Sequence, residues 1–208
     1  MKSILSFPSE RKVIFIMNNQ KKSEDITVQK LWNQISSMLS KNIKYLKKYG
    51  HLTKMYTSFI IDRLAELDLN KGYHVDKEYW PRVDVSFFNR ETESNWQEWS
   101  REIAIEHEND AGTWDEELDK LFAINAGIKV LIAYSDDTDI ELFDYLTSTE
   151  PGSFQSIYKS RKYHTENDKY LLVFGPVTGS KKRKCFSAFS FDGENVQLLK
   201  NKVEIDFE

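Results

Sequence analysis

A chain of 208 residues with 33 acidic and 29 basic side chains carries a net charge of −4, which excludes a globally basic nucleic-acid wrapper and confines any phosphate-binding surface to local patches. One cysteine, Cys185, excludes an internal disulfide framework and a cysteine-built zinc site. With 13 Phe, 10 Tyr and 5 Trp there is bulk for one sizeable core, so a single domain over 1–208 is expected.

Lys12 to Met17 is a short β-branched run that reads as a strand, and the polar stretch Asn18 to Asp25 follows it. From Val28, apolar residues at Leu31, Trp32, Ile35, Met38, Leu39, Ile43 and Leu46 recur at three- and four-residue steps. That spacing predicts one amphipathic helix, ended near Gly50, with Lys30, Lys41, Lys44, Lys47 and Lys48 on its polar face. A second helix is expected from Thr53 to Leu69, turning at Asn70-Lys71-Gly72. Strands are expected at Tyr73 to Tyr79, Arg82 to Phe88 and Glu102 to Glu108.

Thr113 with Glu116 fits a capping box, and Asp115, Glu116 and Glu117 suit the start of a helix running from Trp114 to Asn125. Ile128 to Tyr134 is nearly all apolar, as a strand covered on both faces must be. The intervening helix makes this strand parallel to the Glu102–Glu108 strand. Helices at Asp139 to Thr147 and Gly152 to Tyr163 follow, then strands Tyr170 to Val177 and Cys185 to Phe191, a turn at Asp192-Gly193 and a short segment near Val196 to Leu199. The expected class is α/β, a mixed central β-sheet flanked by helices. No apolar run has the length of a membrane span or a signal h-region, so the expectation is a cytoplasmic protein that does not enter a membrane.

The strand period of two places Asp84 beside Ser86, opposite Val83, Val85 and Phe87. It also aligns Glu102, Ala104, Glu106 and Glu108, opposite Ile103 and Ile105. Carboxylates converging from two neighbouring strands repel one another unless a positive charge sits among them. A hard divalent cation, Mg²⁺ or Mn²⁺, is the economical solution, since one or two protein carboxylates suffice to hold it. Glu102 lies two pleats away from Glu106, roughly 13 Å along the strand, outside such a site. His107 points away from the acids. His51, His74 and His164 lack ligand spacing, which leaves a histidine-built zinc site unsupported. Glycine-rich phosphate loops and GxSxG elbows are absent from the sequence.

The order helix, strand, Asp84 strand, Glu106-His107-Glu108 strand, helix, apolar strand resembles the core of the PD-(D/E)xK nuclease superfamily over about residues 53–134. That resemblance implies a restriction-endonuclease-like core. Asp84 corresponds to the motif's first Asp and Glu106-His107-Glu108 to its (D/E)xK segment, with Glu108 where the lysine stands. Pro81 lies three residues before Asp84 rather than beside it. Some restriction endonucleases carry glutamate in the lysine position; elsewhere in the superfamily the lysine has moved to the following helix, where this chain has Lys120. Such a site implies Asp84 and Glu106 as direct ligands of Mg²⁺ or Mn²⁺, the His107 backbone carbonyl as a further ligand, and Glu108 as a second-metal ligand or base. Asp62 or Glu66 could add a carboxylate from the preceding helix. The implied activity is hydrolysis of nucleic acid, DNA foremost, with room for a homodimer. The alternative is a non-catalytic nuclease-fold module that binds nucleic acid or protein around a degenerate site.

Phosphate contacts are expected from the loop Lys181, Lys182, Arg183 and Lys184. A second patch, Lys159, Arg161 and Lys162 beside Tyr158 and Tyr163, combines charge with aromatic rings suited to stacking on bases.

Overall fold

The computed structural model describes residues 26–50, 54–69, 72–79, 83–89, 100–161, 168–205 and 207. The Lys12–Met17 strand, Pro81, Lys162 and Tyr163 lie outside the described residues.

Three helices come first: α1 (Val28–Lys41), α2 (Ile43–Tyr49) and α3 (Lys54–Ala65). The expected single helix is broken at Asn42, whose side-chain amide donates to the Met38 carbonyl at 2.8 Å while its own N–H bonds Leu39. An Asx side chain competing for backbone partners is a standard cause of such a break. Thr27 caps α1 by accepting the Lys30 N–H, and Gly50 closes α2 at φ 64°, a left-handed conformation that favours glycine.

Next come β1 (His74–Tyr79), β2 (Val83–Asn89), β3 (Ser100–His107), α4 (Trp114–Ala123) and β4 (Ile128–Ser135). The chain finishes with α5 (Asp139–Thr147), α6 (Phe154–Ser160), β5 (Lys169–Pro176), β6 (Cys185–Phe191), β7 (Val196–Leu198) and β8 (Val203–Glu204). The strands described form one mixed sheet in the order β1 to β7, with β8 beside β6. Neighbours are antiparallel except β3–β4 and β4–β5, which are parallel. The protein is thus α/β, with a mixed sheet flanked by helices.

Strict alternation on β4 divides the core. Ile128, Val130, Ile132 and Tyr134 join α1, α2 and α3 on one face, while Leu131 and Ala133 join α4, α5 and α6 on the other. All eight β4 residues are buried, as the continuous apolar run requires. Two of the eight, Lys129 and Ser135, are not apolar; Lys129 is fully buried and donates to Asp168 at 2.6 Å and to the Tyr170 hydroxyl at 3.2 Å.

The expected capping box at Thr113 is not made; its side chain caps nothing, and α4 relies on Asp115, Glu116 and Glu117 against its N-terminal dipole. The box occurs instead at α5, where Thr138 and Glu141 exchange bonds of 2.8 and 3.3 Å. No described helix is long and apolar enough to cross a membrane.

Candidate active site

The antiparallel β2–β3 ladder pairs Val85 with Ile105 and Ser86 with Ala104. One step outward, the same register sets Asp84 across from Glu106 near the carboxyl end of β3. Both belong to the face that carries Ala104, under α4. The site is therefore a cross-strand pair of acids, brought together by pleat and register alone.

Glu106 is only 2% exposed, and its Oε1 atom is buried without a hydrogen-bond partner. Asp84 is partly buried, and its Oδ2 accepts the His107 backbone N–H at 2.8 Å. The two carboxyls lie close enough that each perturbs the other. Burial first, then the charges of Asp84 and Glu117, push the Glu106 carboxyl up to about 9. Burial likewise lifts Asp84 to about 6, against the pull of the His107 N–H and with Glu117 adding repulsion. Near neutrality the pair accordingly shares a proton, as two carboxyls in one dry site must.

From α4, Lys120 lies near enough to act on this pair through its charge. Partial burial opposes its charge, but a hydrogen bond to Glu117 and the negative fields of Glu117, Glu106 and Asp84 raise it above the ordinary lysine value. The helix after the acidic strand thus brings a cation to the two acids.

Other expected members lie elsewhere. Glu108 falls just past the end of β3, and its Oε1 accepts the Asp110 N–H at 2.6 Å, bracing the turn into α4. Among the described residues no group of three or more His, Cys, Asp or Glu is arranged to hold a metal ion. A four-ligand, two-metal arrangement through Glu108 is therefore not what the geometry offers. The His107 side chain is on the opposite face, as expected, with Nε2 3.1 Å from the Tyr134 hydroxyl; its link to the site is the N–H on Asp84. Neither α3 acid joins: Asp62 pairs with Lys77 at 2.7 Å and Glu66 with Arg63 at 2.7 Å. Glu102 accepts from Ser100, outside the site.

The basic loop is corrected in one residue. Arg183 is turned inward, 3% exposed, and donates to Asp139 at 2.8 Å, Ser187 at 2.7 Å and the Asp137 carbonyl at 2.7 Å. A guanidinium so enclosed cannot meet a phosphate. Lys181, Lys182 and Lys184 remain exposed, Lys182 with a 3.2 Å ion pair to Glu141. In the second patch Tyr158 is buried against Phe122, Tyr170 and Phe191 and so cannot stack on a base, and Arg161 pairs with Asp119.

Glu117 is the site residue that sequence reasoning assigned only to the helix dipole. The available signal was its i,i+3 spacing to Lys120, which puts both on one face of α4. No protein-family model matches the chain, and no curated protein gives a significant sequence match.

Proposed function

We propose that the chain is a metal-dependent phosphodiesterase acting on nucleic acid, with DNA as the favoured substrate. The observation that carries this reading is the buried, partnerless Oε1 of Glu106 beside a second carboxylate and a lysine. Leaving a buried polar oxygen unsatisfied is costly, and it persists where a ligand completes it. Two carboxylates with open positions fit Mg²⁺ or Mn²⁺, which keep several waters as ligands. Asp84 and Glu106 would hold the ion, and when bound it supplies Lewis acidity toward a phosphoryl oxygen and acidifies water.

The chain's own residues do the rest. Glu106 and Asp84 lose their shared proton to bind a cation, so occupancy grows as pH rises. The Lys120 ammonium, held by Glu117, offsets charge growing on the attacked phosphate, the part that the motif's strand lysine plays in the resembled family. The helix–three strands–helix–strand succession from α3 to β4, in sheet order β1-β2-β3-β4 with β3 and β4 parallel, supports the resemblance to PD-(D/E)xK nucleases. Lys181, Lys182 and Lys184 follow β5, which runs parallel to β3 two strands away. They extend from the same end of the sheet, about 10 Å across by strand spacing, where a phosphate backbone can reach.

The test is Mn²⁺ binding by calorimetry together with cleavage of plasmid and oligonucleotide. Wild type should bind in the millimolar range or tighter and cut; Asp84→Asn and Glu106→Gln should do neither while keeping their circular dichroism. Cutting that survives in either purified variant removes those residues from the reaction. A wild-type protein that binds DNA but neither Mn²⁺ nor Mg²⁺ is a non-catalytic module.

A further inference from the structure

We infer that His107, Tyr134 and Tyr56 form a buried positioning relay that sets the Asp84 carboxylate from the opposite face of the sheet. The inference rests on the reading of Asp84 as a site carboxylate.

The chain of contacts is continuous. The His107 N–H donates to Asp84 Oδ2 at 2.8 Å, and the His107 ring meets the Tyr134 hydroxyl at 3.1 Å. Tyr134 in turn donates to the Tyr56 hydroxyl at 2.8 Å. With its proton directed at Tyr56, the Tyr134 oxygen is the acceptor and His107 Nε2 the donor. Three elements are joined in this way: β3 through His107, β4 through Tyr134 and α3 through Tyr56. Burial raises both phenols well above their ordinary range, so both stay neutral hydroxyls.

Position in the fold gives the relay its leverage. His107 closes β3 in register with Ile132 of β4, and the next N–H, that of Glu108, bonds the Ile132 carbonyl at 2.9 Å. The ladder holds the backbone of His107, and the ring on the far face of the same residue adds a side-chain anchor beside the N–H that Asp84 accepts. The ring is held by an edge contact with Tyr134, centroids 5.7 Å apart, and by Tyr56 at 6.1 Å. Tyr134 is itself braced edge-on by Phe186 at 5.9 Å. A displacement of α3 is transmitted through three hydrogen bonds, and one of β4 through two, to an oxygen of the acid pair.

The chemistry of these residues argues the same way. Tyr56 and Tyr134 are fully buried among Ile105, Ile132, Val173 and Phe186, where phenylalanine would pack with no hydroxyl to desolvate. A buried hydroxyl offsets its desolvation only by a well-made bond, and the 2.8 and 3.1 Å bonds between these buried rings fix one arrangement rather than adding much stability. A device that orients a charged ligand is such a use: outer partners of metal ligands change affinity about 10- to 100-fold when removed.

Tyr134→Phe and Tyr56→Phe in the full chain test the relay, with Tyr56→Phe the gentler variant should Tyr134→Phe fold poorly. The first measurement is hydrogen exchange of the His107 amide against that of Ile105, two residues earlier in the same strand. The relay predicts about tenfold faster exchange at His107 with Ile105 unchanged, and about tenfold weaker Mn²⁺ binding. For cleavage it predicts a lower kcat with KM for DNA unaltered. Equal acceleration at both amides shows a loss of stability alone and overturns the proposal, as does exchange at His107 unchanged in both variants. If wild type neither binds Mn²⁺ nor cuts, the hydrolase reading fails, while the amide comparison still decides whether the relay sets the His107–Asp84 bond.

Discussion

Glu106→Gln should flatten the pH dependence of folding stability, and the size of the effect follows from where the side chain sits. The folded-state carboxyl is held at about 9, against 4.5 for the ordinary group. Between those values the folded protein keeps a proton that the unfolded chain has released. Stability contributed at low pH is therefore lost steadily as pH rises through the window. Each pH unit is worth 1.36 kcal/mol for one fully differential proton. From pH 5 to pH 7, within that window, wild type should then lose about 2–3 kcal/mol that the glutamine variant does not. For a chain of this length that is about 5–10 °C in Tm. The glutamine amide replaces a buried oxygen that has no partner, so the variant will carry an offset of its own, about 1–3 kcal/mol. That offset does not vary with pH; the slope is the measurement. Urea unfolding at pH 5, 6 and 7 in chelator-treated buffer supplies it. Parallel curves for the two proteins would refute the premise that Glu106 is protonated in the folded state.

The remaining predictions address the parts around the site. Arg183→Ala should cost about 1.5–3 kcal/mol by urea unfolding, since it removes a buried guanidinium bonded to Asp139, Ser187 and the Asp137 carbonyl while Lys202 still pairs with Asp139; a loss below 1 kcal/mol would mean the arginine is not a structural member. Replacing Lys181, Lys182 and Lys184 together by alanine should leave stability within about 0.5 kcal/mol and lower the slope of log affinity for DNA against log salt by up to about 3. An unchanged slope would remove the loop from the interface. Lys129→Met should cost about 3–5 kcal/mol because it strands Asp168, and adding Asp168→Leu should recover most of it, measured as a double-mutant cycle. Gly175→Ala should destabilise by about 1–3 kcal/mol, since a Cβ there would lie 2.3 Å from the Phe186 ring, and Phe186→Leu in the same chain should relieve part of the loss.

Strand periodicity made the acid pair legible before any coordinates. Pleat and register alone bring Asp84 to Glu106, and the nearly all-apolar run Ile128–Tyr134 had to be a doubly covered strand parallel to β3. What could not be read was the direction of side chains in runs of one character. Lys181-Lys182-Arg183-Lys184 looks like one solvated patch, yet Arg183 is drawn inward by Asp139 on α5, 44 residues away in sequence. Tyr158 looked like a stacking ring among cations until α6 packed it into the second core. The Lys129–Asp168 pair is separated by 39 residues, and nothing local announces it. Helix caps failed for a different reason. Thr113 and Thr138 each stand three residues before a glutamate, and which box closes is decided by the backbone entering the helix: ψ is 7° at Thr113 and 166° at Thr138.

The fate of Glu108 shows how one strand end distributes charge in the whole site. Had β3 run one residue further, period-two alternation would have set Glu108 on the face of Glu106, adding a third carboxylate to a pair that already shares its proton. Instead the strand stops at His107, and the Glu108 carboxylate is taken up by the Asp110 N–H. The chain then turns through Asn109–Gly112 and starts α4 at Trp114, and one turn of that helix brings Glu117 and Lys120 near enough to act on the pair through their charges. The balance becomes two acids with one proton, a third acid and a lysine, close to a single negative charge. On the proposed reading a divalent cation would displace one proton here and find the lysine already engaged by Glu117, so Lys120→Met should weaken cleavage far more than Mn²⁺ affinity. A variant that instead binds Mn²⁺ more tightly and cuts as fast as wild type would show that Lys120 only occupies the place of the cation.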